Sequence, residues 1–464
     1  MSLEQTTEVS KLDLKISFTS LLKFALPSII SMVIMGIFSS IDGVFISRFL
    51  DVMSLAAANV SMPILTATIA VGAMMAAGGS ALVAKQKGEG KTVEARQNFS
   101  LIIYFTIIIS TIATVIALVF MEPLLGMLGT DDFLLPLSRS YITPITIFIP
   151  FIMLGFIFQS FLIADGKPTF AMAISTIGGF SNVVLNFTFL RIFEMGLAGA
   201  AYATIIGFSI PSVIGLIYFT FSRKEGLYFV KPTFKFGTIT KSMTNGLSEF
   251  ISLFAVTLTA TMMNNIIMDI EGPLGVASVG IMMAVQGLVT STFMGYAMGI
   301  APLISYNYGK KDNDQLANIY RYSKKIVLAC ALLSILIATI FAGPLVNIYV
   351  SRSTDVYNMA VYGLRIVSMS FIFIAFNMFT SAWFTAFNNG LISGLLSFFR
   401  TLVFFAATIL ILPRIFDMNG VWFALPVAET FAIIMSVYFL KKYKKTYGYG
   451  GFETTAKREV EYSN

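Results

Sequence analysis

The chain contains no histidine and a single cysteine, and Asp, Glu, Lys and Arg make up only 12% of its 464 residues. An ordinary soluble domain carries roughly 25% charged residues. Without histidine, and with Cys330 as the lone thiol, the usual zinc and haem ligand sets cannot be assembled and a disulfide within the chain is excluded. Cys330 lies in an apolar run and reads as a small core residue. No resident cofactor and no firm metal site are therefore expected. A phosphate-binding glycine loop is missing as well, because Gly88-Glu89-Gly90-Lys91 lacks the first half of a Walker motif. That argues against nucleotide-driven pumping, and the absence of a nucleophile–base constellation argues against an enzyme.

Apolar residues are what the chain has in excess, at 56%. They fall in continuous runs such as Ile102–Phe120 and Ile326–Ala342, close to the length that carries a helix across a hydrocarbon core of about 30 Å. A transmembrane barrel would show alternating segments of about ten residues instead. The pattern predicts an all-α membrane protein with twelve transmembrane helices over 16–50, 53–85, 97–121, 138–164, 169–190, 196–221, 238–268, 275–308, 322–348, 355–388, 391–413 and 419–441. Met1–Leu14 is polar and mixed in charge, so no cleavable signal is expected.

The net charge of +7 raises the question of nucleic acid, but its distribution answers it. Of 31 basic residues, 24 fall in the loops on the N-terminal side, five (Arg48, Arg139, Arg191, Arg352, Arg414) fall on the other, and Arg365 and Arg400 lie within spans. This bias predicts a multi-pass protein of the cell inner (plasma) membrane with both termini cytoplasmic. The basic clusters Arg223–Lys241 and Lys441–Lys445 read as topology determinants that contact membrane lipids, with no nucleic-acid role.

Shifting the chain against itself by 221 residues aligns Ser54–Val60 with Gly275–Ile281, and Gly78, Leu82 and Gly88 with Gly299, Leu303 and Gly309. Near the end of each half, Arg191–Met195 echoes Arg414–Met418 with a slip of two. An internal repeat of six spans predicts two parallel six-helix pseudo-repeat lobes: 1–221 (helices 1–6) and 242–445 (helices 7–12), with a cytoplasmic linker at 222–241 and a polar, disordered tail at 446–464. Two parallel bundles around a cleft suit alternating access, and the chain is expected to act as a monomer.

Few charged residues lie inside the spans, and each is costly in hydrocarbon without a partner or a purpose. At about 1.5 Å of rise per residue, Asp42 lies some 9 Å in from Arg48, Asn186 and Asn182 some 7 and 13 Å in from Arg191, and Thr204 some 15 Å in from Glu194. These four share the outer half of the N-lobe, where no embedded Lys or Arg can neutralise Asp42. An unpaired carboxyl there can take up and release a proton; equally, its oxygens with the amides could hold sodium at Asp42, Asn182 and Asn186. In the C-lobe, Glu429 and Arg400 reach the bilayer centre on consecutive helices, and Arg365 lies at comparable depth, so a structural ion network of Arg365, Arg400 and Glu429 is expected. Glu249, some 12 Å from Lys241, is a candidate substrate or charge site. Asn264, Asn265 and Asn377 read as interhelical hydrogen-bond residues.

Leu26-Pro27 with Asp42-Gly43, Gly196–Ala201 with Ala203-Thr204, Ala301–Gly309, and Gly420-Val421-Trp422 through Glu429 occur in an order that resembles the multidrug and toxic compound extrusion family, particularly its bacterial multidrug exporters. The resemblance covers residues 16–445 and implies two lobes forming a V and antiport of organic cations against protons or sodium ions. It also implies a coupling site in the N-lobe at the helix 1 acid, matching Asp42, with helix 5 positions matching Asn182 and Asn186 and a helix 6 threonine matching Thr204. The chain departs from the pattern at Asn186, where many members carry a second acid, and in helix 10, which holds Arg365 but no acid. The expected partners are organic cation substrates. The alternative function is a flippase for lipid-linked precursors, a task that calls for cationic residues to hold a pyrophosphate, and the N-lobe offers none inside.

Overall fold

The structure, a computed structural model, describes residues 12–221 and 226–450, except for the side chains of residues 39, 40 and 52. Expectations placed on residues 1–11, 222–225 and 451–464 lie outside the described residues.

Nine helices are each long and apolar enough to cross a membrane, and two bent helix pairs bring the number to eleven. The helix Phe236–Lys310 has 75 residues, which as one rod would run about 110 Å, several membrane thicknesses. It breaks at Gly272 (φ 63°, ψ −153°), a left-handed backbone that a residue without Cβ adopts freely, directly before Pro273. Twelve spans are thus described. They are α1 (Phe18–Phe49), α2 (Val52–Gly88), α3 (Thr92–Val119), α4 (Leu134–Ile147 with Ile149–Ala164), α5 (Pro168–Phe187) and α6 (Gly196–Phe221) in the N-terminal half. In the C-terminal half they are α7 (236–271), α8 (273–310), α9 (Asn313–Ile340), α10 (Asp355–Ser368 with Phe371–Ala386), α11 (Gly390–Phe398 through Phe405–Ile411) and α12 (Pro413–Tyr443).

Spans expected as single helices at 138–164 and 355–388 are bent by 53° and 51°. In α4 the bend follows from Pro150, which cannot donate to the carbonyl of Thr146; the Thr114 hydroxyl donates to that oxygen instead, at 3.1 Å. In α10 no proline is present, and the Ser368 and Ser370 hydroxyls donate back to Arg365 O and Val367 O at 2.8 and 2.6 Å, a local competition that bends helices. Span ends follow capping chemistry: Asp51 Oδ1 accepts from Ser54 N at 2.6 Å at the start of α2, and Asp312 Oδ1 accepts from Gln315 N at 3.0 Å at the start of α9. The Ser54 N–H holds the Asp51 carboxyl below the usual carboxylate range. In α5 and α11 a π-helical stretch, Thr188–Ile192 and Phe399–Phe404, widens the last or middle turns.

One face of α3 shows how the spans meet lipid. Phe99, Ile102, Ile103, Thr106 and Ser110 are buried, whereas Ile108, Ile112, Val115 and Val119 on the opposite side are all more than half exposed. An exposed stripe this apolar is suited to hydrocarbon, not water.

Both ends of the described chain lie on one face, hereafter the terminal face. Leu12 is fully buried there, Ile16 N donates to Gln315 Oε1 at 3.0 Å, and Lys310 Nζ meets Asp13 Oδ1 at 2.7 Å. The segment before α7 makes the reciprocal crossing: Arg96 Nε donates to Gly226 O at 2.8 Å, Val230 N donates to Ser100 Oγ at 3.0 Å, and Lys235 meets Glu94 at 3.4 Å. Each half is therefore strapped to the other by the strand of chain that precedes it.

The halves touch most closely at this face. A Cβ on Gly88 would lie 2.0 Å from Tyr306 O, and one on Gly309 would lie 2.1 Å from Lys85 O, two contacts that exchange under the 221-residue offset. Deeper in, Gly78 meets Ser242 O and Gly246 meets Met74 O, both at 1.9 Å from the added Cβ. Toward the opposite face, a Cβ on Gly43, Gly280 or Gly287 would meet nothing within 4 Å.

The expectation of a disordered tail from residue 446 is corrected for residues 446–450. Tyr447 stacks on Phe387 with ring centroids 4.3 Å apart and accepts from Asn389 Nδ2 at 2.7 Å, and the buried Tyr449 donates to Leu440 O at 2.6 Å. Three aromatic rings in a short polar-looking segment are enough to fold it back on the terminal face.

Candidate functional site

Helices α1, α5 and α6 bring Asp42, Asn182, Asn186 and Thr204 together. Asn182 and Asn186 are one turn apart and so share the face of α5 that looks at α1. Asn186 Nδ2 donates to Asp42 Oδ1 at 2.5 Å, Thr204 Oγ1 to Asp42 Oδ2 at 3.3 Å, and Asn182 Nδ2 to Asp42 Oδ2 at 3.4 Å. Asn182 Nδ2 also reaches Thr204 Oγ1 at 3.5 Å. Among the described residues no Lys or Arg forms an ion pair with Asp42.

Every protein donor in this cluster is thus used on the carboxylate or within the cluster, yet two acceptors remain over. The carbonyl oxygens Asn182 Oδ1 and Asn186 Oδ1 are buried without a partner, although such groups are ordinarily satisfied. A carboxylate, two spare amide oxygens and a hydroxyl form a hard, oxygen-rich set that suits a small cation such as sodium, while a proton needs only the carboxylate. Among the described residues no group of three or more His, Cys, Asp or Glu side chains is placed to hold a metal. The cluster borders a cavity also lined by Met35, Phe38, Tyr141 and Phe156.

The charged residues of the C-terminal half divide. Arg400 and Glu429 pair as expected, Arg400 Nη1 to Glu429 Oε1 at 3.7 Å, with both side chains largely buried. Asn377 Nδ2 completes the arrangement by donating to Glu429 Oε2 at 2.6 Å and to its main-chain oxygen at 3.1 Å, and Ser436 donates to Asn377 Oδ1 at 2.7 Å. Arg365 does not join this network. It is exposed in the last turn before the bend in α10 and has no ion pair among the described residues. Asn264 and Asn265 are exposed too, and neither makes the interhelical hydrogen bond expected of it. Glu249 lines a second cavity together with Arg400, Ser160 and Met298.

The family model for MatE matches residues 27–188 and again 250–410, once in each half. The chain belongs to the MatE family. Members of this family are transporters rather than enzymes, and the chain is a multi-pass membrane transporter. Among curated relatives, a multidrug export protein MepA from Staphylococcus saprophyticus is 23% identical over 436 residues, covering 91% of this chain and 94% of that one. A MepA from Staphylococcus haemolyticus is 23% identical over 434 residues, again covering 91% of this chain and 93% of its own. The outward-facing structure of a multidrug resistance transporter of the same family superposes with a TM-score of 0.90 at 21% identity, covering 96% of this chain and 99% of that one. A Pyrococcus furiosus transporter described as having a binding pocket of reverse polarity superposes with a TM-score of 0.89 at 21% identity and the same coverage. These likenesses establish the MatE fold for the chain.

Reading charges along the spans missed several uncharged members of the MatE cavities. Tyr141 on α4 is buried beside the Asp42 cavity, and Gln159 lines it while donating to Ser31 Oγ on α1 at 3.0 Å. Both are polar residues inside apolar runs, and a scan for such residues of any charge would have found them.

Proposed function

We propose that this MatE transporter exports organic cations, among them drug-like molecules, in exchange for protons or sodium ions. The observation that carries the reading is the Asp42 cluster: a carboxylate inside the span layer, hydrogen-bonded by amides and a hydroxyl, matched to no base, with two amide oxygens left over beside it. An uncompensated carboxylate in hydrocarbon costs several kcal/mol by most measures, roughly 2.5–3.5 on translocon scales. A proton, a small ion or a substrate cation each removes that cost, and only one can hold the site at a time. Competition for one carboxylate is the physical basis of exchange.

The Met and Phe side chains of the cavity supply an adaptable wall for apolar cations. The names of the MepA relatives agree with drug export. The basic bias of the loops supports a plasma-membrane protein whose terminal face is cytoplasmic, acting as a monomer in contact with lipid headgroups. On that orientation the tight glycine contacts close the cytoplasmic side, and the cavities open outward. Ethidium efflux from cells carrying Asp42→Asn tests the reading: export falls to the level of cells without the protein, and undiminished gradient-dependent export removes Asp42 from the mechanism.

A further inference from the structure

The second cavity sits between the halves. Ser80 and Ser160 reach it from α2 and α4, while Glu249, Met298, Met378 and Arg400 reach it from α7, α8, α10 and α11. Unlike the Asp42 cavity, it presents charges of both signs. Among the described residues Glu249 has no hydrogen bond and no ion-pair partner within 4.0 Å. Arg400 is only partly used. A guanidinium carries five N–H donors, and Arg400 commits one nitrogen to Glu429 at the long distance of 3.7 Å. Glu429 is meanwhile held by Asn377 through both a carboxylate oxygen and its main-chain carbonyl, so it depends little on Arg400 for its hydrogen bonds. The π-helical stretch Phe399–Phe404 carries Arg400, a local widening of the backbone that often accompanies binding sites. Ser160 Oγ, buried at the same cavity, has no partner.

We propose that this cavity binds zwitterionic organic molecules, with the ligand's ammonium or iminium group on Glu249 and its carboxylate on Arg400. The inference rests on the export function proposed above and names a substrate class for it. The guanidinium offers a planar fork of donors that fits a carboxylate in two-point contact, which an ester cannot reproduce with the same strength because it lacks the charge. Met298 and Met378 on facing helices, flexible and polarisable, accommodate the aromatic body between the two charged ends. A ligand bearing both charges therefore uses Glu249 and Arg400, whereas a simple cation uses Glu249 alone.

The matched dyes rhodamine 110, a zwitterion, and rhodamine 123, its cationic methyl ester, differ by that one carboxylate. Transport of both is measured in proteoliposomes holding the intact protein, and the ratio of acid to ester is the readout. Arg400→Gln lowers the ratio about tenfold, the loss expected when one charge-assisted contact is removed. Because that variant strands Glu429, the double variant Arg400→Gln with Glu429→Gln, which removes the pair together, is measured beside it and shows the same fall. Glu249→Gln lowers transport of both dyes. An unchanged ratio in the double variant while both dyes are still carried overturns the proposal, and so does wild-type protein that carries the ester but not the acid. Wild-type protein that carries neither dye overturns it together with the export function on which it rests.

Discussion

Asn186 donates its amide nitrogen to Asp42 Oδ1 at 2.5 Å while its own carbonyl oxygen stays buried and unpartnered. That arrangement points an acceptor, in place of the second acid implied by the family resemblance, at a carboxylate with no base beside it. A cation placed between them would satisfy both at once. In Asn186→Asp a second carboxylate stands there, and two negative charges hold a small cation more tightly than one. The half-saturating sodium concentration for transport is expected to fall about tenfold, an effect of about 1.4 kcal/mol. Transport in proteoliposomes over a range of sodium concentrations checks this, and an unaltered sodium dependence counts against ion binding at Asn186.

The Arg400–Glu429 pair gives a stability prediction. Removing one partner of a buried pair leaves an uncompensated charge and typically costs about 3–5 kcal/mol; the long 3.7 Å contact places Arg400→Gln near the lower end, at about 3 kcal/mol. Adding Glu429→Gln should recover most of that loss, since Asn377 still has an amide oxygen to bond. Arg365→Ala, in contrast, should stay within about 0.5 kcal/mol of wild type, as exposed substitutions do. Thermal unfolding in detergent separates the three.

The terminal-face seam predicts a conformational bias. In Gly88→Val the new Cβ has to displace the Tyr306 carbonyl from 2.0 Å, which backbone cannot yield locally, so the two halves must part there. A disulfide engineered with Asp13→Cys and Lys310→Cys across the 2.7 Å ion pair, in a Cys330→Ser background, reports the separation. Cross-linking yield should drop several-fold in Gly88→Val and remain high with Gly43→Ala, whose Cβ meets nothing within 4 Å.

Acid should loosen the start of α2. Asp51 is held below the usual carboxylate range by the Ser54 N–H, so its cap is fully present at pH above that range and is lost as pH falls through the lowered value. Hydrogen exchange at Ser54 should therefore accelerate between pH 5 and pH 3 beyond the intrinsic chemical trend, at concentrations about those used for the neutral protein. Asp51→Ala should abolish the difference.

Depth along a helix was readable from the sequence, because rise per residue is nearly constant, and it placed Asp42, Asn182, Asn186 and Thr204 in one layer. The one-turn spacing of the two asparagines added the direction on α5. Direction was not readable for Arg365, which lies at a depth similar to Arg400 but just ahead of the α10 bend set by Ser368 and Ser370, and so faces outward. The same limit hid the bend in α4, which depends on how Thr114 of another helix takes the carbonyl freed by Pro150. Average polarity hid the fold of residues 446–450, because Tyr447 and Tyr449 act through particular rings on Phe387 and Tyr320. Uniformly apolar spans announced twelve crossings, but the break at Gly272 that makes two of them from one helix rests on a single φ angle.

The central claim is that Asp42 exchanges a substrate cation for a driving ion. The most direct test is transport of ethidium by the purified protein in liposomes with proton and sodium gradients imposed separately, wild type against Asp42→Asn. One of the two gradients should drive accumulation by the wild type, and neither should drive it in the variant. Equal gradient-driven accumulation by both proteins would contradict the account.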